Sequence, residues 1–115
     1  MTSRKNVDDF IKGWNWDEES HEYARQLGTF LLQFLDSLEA TGLSAQTLKK
    51  HRDNCWCIGL LHCSYWFRGV FSPSMFLYAP SYVDEFKRKM SDSGYAVASY
   101  QATWRKLGRY VRSQN

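Results

Sequence analysis

Apolar residues recur along this chain at the spacing of a helix. Tyr23, Leu27, Phe30, Leu31, Phe34, Leu35 and Leu38 fall at steps of 4, 3, 1, 3, 1 and 3. One wide apolar stripe therefore faces inward over residues 17–41, which predicts a central packing helix. Asp17 is placed to cap it, and Glu18, Glu19 and Glu22 complement the positive end of its dipole. A second helical pattern covers residues 44–67. Leu48, Cys55 and Ile58 share one side, with His51 or Arg52 between them, while Lys49, Lys50 and Asp53 lie largely on the other. After Gly59 the pattern turns apolar nearly all round, as in a buried helix end, and Gly69 should stop it. A third helix is predicted over 81–92, capped by Ser81, with Val83, Phe86 and Met90 inward and Lys87, Arg88 and Lys89 outward; Gly94 should end it. A fourth is predicted over 97–112, with Tyr100, Trp104, Leu107, Tyr110 and Val111 inward.

Two stretches are less regular. Val7, Phe10, Ile11 and Trp14 make one or two amphipathic turns before Gly13 and Asn15 break the pattern. Residues 69–80 hold both prolines and several aromatics, which predicts a packed connector with a short helical turn after Pro73. The expectation is an all-α fold: a small bundle of at least four helices in a single domain, 1–115, arranged as two packed helical hairpins.

The corner between the first two long helices is the most legible feature. Gly42 follows a helical pattern where a left-handed residue is wanted. Ser44 suits the N-cap of the next helix. Leu43 and Leu48 then occupy the two positions of a hydrophobic staple, with Leu48 expected in the core. Thr47 stands where a full capping box would have Glu or Gln. A shift of 52 residues superposes Phe34 on Phe86, Gly42 on Gly94, Leu43 on Tyr95, Thr47 on Ser99, Leu48 on Tyr100, Cys55 on Leu107 and Ile58 on Tyr110. The match of packing positions suggests two similar hairpins, although two unrelated amphipathic pairs would also align this way.

Composition sharpens this picture in three ways. Five Trp, seven Tyr and seven Phe in 115 residues supply a sizeable core. No run of 18 apolar residues predicts a transmembrane helix, and the first residues are polar rather than signal-like. Three cysteines are an odd number outside any disulfide-scaffold pattern, so the expected setting is a reducing cytoplasm. The formal net charge of +3 is unevenly spread. Residues 1–41 hold four Lys/Arg and eight Asp/Glu, net −4; residues 42–115 hold eleven and four, net +7. That polarity suits nucleic acid or an acidic protein surface, although a solvated charged face would look the same.

Catalytic and metal chemistry find little support. His51, Cys55, Cys57, His62 and Cys63 are metal-ligand types, and His51, Cys55 and His62 share a helix face. Cys57 points elsewhere, and no second ligand pair exists for a four-ligand zinc site. The default is cysteines packed as small apolar residues, with no metal and no cofactor. A Cys nucleophile with a His base would need a partly exposed thiol, against these apolar surroundings. His51-Arg52-Asp53 matches a kinase tripeptide with no other kinase element, and there is no Gly-rich phosphate loop. Trp14 and Trp16 flank Asn15 and are candidates for stacking on a partner or for the core.

The run from Phe34 to Leu48, FLDSLEATGLSAQTL, resembles the start of the SAM-like, core-binding domain of phage integrases, the tyrosine recombinases. The shared pattern is a long helix, Gly-Leu-Ser-x-x-Thr, then a basic helix, and the clear resemblance covers about 25 residues. It implies a small helical bundle that clamps DNA without doing the chemistry. The Arg, His and Tyr set of recombination is absent from these residues. The continuation His51–Trp56 is also similar to small uncharacterised bacterial and phage proteins, which imply no activity.

Two functions follow as expectations. The first is a non-catalytic nucleic-acid-binding module, with Lys49, Lys50, Arg52, Arg105, Lys106, Arg109 and Arg112 on phosphates as one positive surface, and the helix N-termini at Ser44 and Ser99 adding backbone amides. The second is a phage or mobile-element protein-interaction module, an inhibitor or complex subunit, using exposed aromatics of 65–82. An enzyme is a distant third, and no membrane partner is expected.

Overall fold

A computed structural model describes residues 4–14, 16–65 and 70–114. The fold is all-α: a small helical bundle with no strand among the described residues. The helices are α1 (Arg4–Ile11), α2 (His21–Glu39), α3 (Ala45–Tyr65), a 3₁₀ helix (Pro73–Leu77), α4 (Val83–Lys89) and α5 (Gly94–Ser113). None is long and apolar enough to cross a membrane. The chain divides into two compact units, Met1–Phe71 and Ser72–Asn115.

In the first unit α1 packs on both α2 and α3. The 3-1-3 spacing of Val7, Phe10, Ile11 and Trp14 becomes a full helix and its exit, and all four side chains are buried. Glycines make room for them. A Cβ at Gly28 of α2 would lie 2.5 Å from Ile11 Cγ2, and one at Gly59 of α3 would fall inside the Trp14 ring. Gly59 is thus a point of closest approach within a continuous α3. Phe10 meets Trp14 edge-on at 5.4 Å, and Phe71 closes over Tyr23 and Phe30 at 6.0 and 5.7 Å.

The α2 stripe holds as spaced, with Tyr23, Leu27, Leu31, Phe34 and Leu35 buried and Ala24, Gly28 and Leu32 beside them. Phe30 and Leu38 are half-buried at its margin. The helix starts later than residue 17 because Asp17 and Ser20 form their own turn. Ser20 N donates to Asp17 Oδ1 and Asp17 N to Ser20 Oγ, both at 2.9 Å. The Ser20 amide, helped by its hydroxyl, holds the Asp17 carboxyl below the usual carboxylate range.

The corner has the expected parts. Gly42 takes φ +83°, and its amide donates to Glu39 O. Thr47 N donates to Ser44 Oγ at 3.2 Å. Leu43 and Leu48 are both half-buried, however, so Leu48 covers the corner from its edge rather than filling the core. In α3 it is His51, not Arg52, that turns inward with Asn54, Cys55 and Ile58. The expected end of this helix at Gly69 lies outside the described residues.

The second unit departs further from its sequence pattern. The helix expected over 81–92 is the shorter α4, and its N-cap is Tyr82 at φ +61°, not Ser81. Met90 and Ser91 amides both return to Phe86 O, ending the helix before Gly94. Gly94 is instead the first residue of α5, just after the true N-cap Ser93, whose Oγ accepts from Ala96 N at 3.0 Å. Ser99 is therefore inside α5, with its amide no longer at a helix end. Gly42 precedes its N-cap by two residues whereas Gly94 follows its own, so the 52-residue superposition fails at the corner itself. The turn after Pro73 exists as the 3₁₀ helix, with Phe76 buried. Gly108 allows it to approach α5: a Cβ there would be 2.6 Å from the Phe76 carbonyl oxygen. Phe76 packs edge-on against Trp104 at 4.8 Å, and Phe86 of α4 lies 4.5 Å from Tyr100 of α5.

The two kinds of glycine should separate in urea denaturation. Gly59→Ala forces Trp14 out of place and should cost about 2–3 kcal/mol or more by overpacking. Gly42→Ala meets open space and should cost only about 1 kcal/mol of left-handed backbone strain. Equal costs would show that Trp14 does not depend on the gap at Gly59.

Candidate nucleic-acid interface

The seven basic residues expected on phosphates fall into two groups. Lys49, Lys50 and Arg52 are exposed on α3 in the first unit, and Arg105, Lys106, Arg109 and Arg112 belong to α5 in the second. The two groups have different neighbours.

On α3, Lys49 Nζ sits 2.9 Å from Asp53 Oδ2. Arg52 lies over the Phe10 ring, 5.6 Å from its centroid. Lys49 and Arg52 also line a groove of about 320 Å³ with Leu32, Leu35, Ala45 and Leu48, and the same groove holds Asp36 and Glu39. Nearby carboxylates thus offset much of the positive charge of this group, and exposed ion pairs of this kind are weak.

On α5 the arrangement is different. Arg105, Arg109 and Arg112 are spaced i, i+4 and i+7, which places them on one face. Next to that face runs the buried stripe Tyr100, Thr103, Trp104, Leu107, Gly108 and Val111. Lys106 is about 100° round the helix from Arg105 and is half-buried. The three arginines, with Trp104 and Gly108, form one wall of a cleft of about 340 Å³; residues 76–80 form the other. Among the described residues no carboxylate lines this cleft. Among the described residues no ion pair involves any of its three arginines. The site lies toward the C-terminal half of α5, so guanidinium groups rather than helix-end amides supply its positive charge.

The facing wall is pinned by side chains of α5. Trp104 Nε1 donates to Tyr78 O at 2.9 Å, and Tyr100 Oη donates to Ser81 O at 2.9 Å. Tyr78 itself is 75% exposed. The i, i+4, i+7 spacing of the arginines is visible in the sequence. The sequence marks Tyr78 only as one of the aromatics of 65–82, because its place beside the arginines depends on those two long-range hydrogen bonds. The other aromatics of 65–82 divide: Phe76 is core, Phe71 covers α2, Tyr82 is half-buried, and Trp66, Phe67 and the Tyr65 side chain lie outside what the structure describes. Trp14 is core as well. Trp16 is half-buried, stacked on His21 at 4.2 Å, with its Nε1 donating to Ile11 O.

His51, Cys55, His62 and Cys63 of α3 are buried, and Cys57 is half-buried. Among the described residues no three His, Cys, Asp or Glu come together as a metal site. Burial pushes the Cys55 thiol far up, Cys57 to about 11 and Cys63 to about 12, so none is a poised thiolate. His62 Nδ1 lies 2.8 Å from the Ile58 carbonyl oxygen, which fixes the proton on that nitrogen. Burial lowers His62 to about 4. Comparison with protein-family models, with curated proteins and with solved structures finds no match to this chain.

His62 gives a pH prediction. It is neutral when folded and titrates near its ordinary 6.5 when unfolded, so the unfolded chain binds the extra proton between pH 6.5 and about 4. Its contribution is fully present above pH 6.5 and falls away as the pH drops, by up to about 3 kcal/mol at pH 4. Thermal melts of wild type and His62→Gln at pH 7.5 and 5 should show a smaller acid-side loss in the variant. An identical loss would mean that His62 is not buried neutral.

Proposed function

We propose that this chain is a non-catalytic nucleic-acid-binding module that grips the phosphate backbone through the cleft of α5. The observation that carries the reading is the convergence of Arg105, Arg109 and Arg112 on a cleft that no carboxylate lines among the described residues. Arginine suits it, because its planar fork matches phosphate oxygens. The resemblance of residues 34–48 to an integrase core-binding domain points the same way. On this reading Lys49, Lys50, Arg52 and Lys106 are secondary contacts, since acidic neighbours or partial burial reduce what they offer. Binding needs no metal or cofactor, and the setting is a reducing cytoplasm, in keeping with three free thiols.

The competing reading is a phage or mobile-element protein-interaction module. Leu77 and Tyr78, exposed on the same wall, favour it. Capture of one specific protein after nuclease treatment, with no binding to nucleic acid at low salt, would decide for it.

Salt dependence tests the nucleic-acid reading. Affinity for random-sequence DNA, followed by fluorescence anisotropy, should fall steeply with salt. Each lost phosphate contact should flatten the log–log slope by about 0.9 on duplex and about 0.7 on single strands. Arg105→Gln/Arg109→Gln should therefore flatten the slope by about two contacts and weaken all sequences alike. Lys49→Ala/Lys50→Ala should change it less. An unchanged slope in the arginine variant would remove α5 from the interface, and no wild-type binding at low salt would end the reading.

A further inference from the structure

We propose that the α5 cleft takes single-stranded rather than duplex nucleic acid, with one base stacked on Tyr78 and the adjacent phosphates on Arg105, Arg109 and Arg112. This rests on the nucleic-acid reading above and adds the form of the ligand.

Three observations carry it. First, the cleft joins an exposed aromatic to a row of cations. Tyr78 lines it at 75% exposure, opposite the three arginines. A duplex keeps its bases stacked inside and offers a protein surface phosphates and groove edges. An aromatic beside a phosphate-binding row gains nothing from that arrangement. A single strand offers a free base face next to each phosphate, and stacking platforms combined with positive grooves are how such strands are held.

Second, the platform is preorganised. Its backbone is held by the Trp104 Nε1 bond to Tyr78 O, and the neighbouring 3₁₀ helix rests directly on Gly108. A residue that is exposed and yet fixed through its carbonyl loses little conformational freedom when a base lies against it.

Third, the row matches a strand. Rises of roughly 6 Å from Arg105 to Arg109 and 10 Å to Arg112 follow from the helix geometry. These spacings are on the order of the steps between phosphates along an extended strand, all on one side of it. Next to Tyr78 the wall carries Ala79 and Pro80, which have no side-chain donor to read a base edge. With the arginines engaged on phosphates, recognition at this cleft is tolerant of sequence.

The experiment uses the full chain and two labelled probes read by anisotropy at low salt. One is an oligothymidylate of about 16 nucleotides, long enough for the usual site sizes of single-strand binders. The other is a mixed-sequence duplex of the same length. The expected result is tighter binding of the single strand by roughly tenfold or more. Tyr78→Ala should weaken the single strand by roughly tenfold, in the range of one lost stack, and leave the duplex unchanged. Tyr78→Phe, which keeps the ring, should bind like wild type. Arg109→Gln should weaken both probes. Because Tyr78 is exposed and its bond to Trp104 uses the main chain, melting temperatures of the Tyr78 variants should match wild type. Equal or tighter duplex binding, or a Tyr78→Ala variant that holds the single strand as well as wild type, would overturn this inference while leaving the nucleic-acid reading in place. Binding of neither probe would overturn both.

Discussion

The first unit depends on one contact: the Trp14 ring lies where a side chain on residue 59 would otherwise be. An indole buried to 0% exposure is among the largest apolar contributions a small unit can receive. It is available only because α3 carries no Cβ at that point. The same device recurs where Ile11 meets Gly28 of α2. Two glycines on two helices thus let the short α1 approach both closely. An eight-residue helix has little stability alone, so α1 exists because its face Val7, Phe10, Ile11 and the following Trp14 are enclosed. With α1 in place, Arg52 is held over Phe10 and Trp16 donates back to Ile11 O.

The second unit solves a different problem. Residues 78–81 form no helix or strand, so their carbonyl groups need partners from elsewhere. Trp104 and Tyr100, one turn apart on α5, supply them to Tyr78 and Ser81 while burying their rings. Each aromatic therefore acts twice, as apolar mass and as hydrogen-bond donor. The result is an irregular segment held firmly against a helix, which is what a recognition surface requires. The arginines occupy the adjoining face of the same helix, so one element both fixes the cleft and charges it.

A count of charges does not distinguish the two basic groups. By count, the three basic residues of α3 looked equivalent to those of α5. The difference lies in their neighbours: Asp53, Asp36 and Glu39 stand beside the α3 group, and among the described residues no carboxylate lines the cleft of α5. Since Coulomb interactions at a surface are short-ranged at physiological salt, these neighbours outweigh the net charge of a whole segment.

Much of the architecture was determined by sequence. Helical class, the α2 stripe, the Gly42–Ser44 corner and the turn after Pro73 all follow from local rules: a 3.6-residue period, a residue tolerant of positive φ, a side chain able to cap. Such features depend on residues within a few positions of one another. The ends of α4 and the role of Gly94 differ from the local pattern for the same reason. Serines 91 and 93 compete with a helical pattern locally, and a glycine fits a helix stop and a first turn alike. Tertiary structure alone decided what depended on distant partners. Gly59 reads as a weak point in a helix until Trp14 is laid against it, His51 and Arg52 share a helical margin until packing buries the first and leaves the second exposed, and Tyr78 is one aromatic among several until Trp104, 26 residues later, fixes its carbonyl.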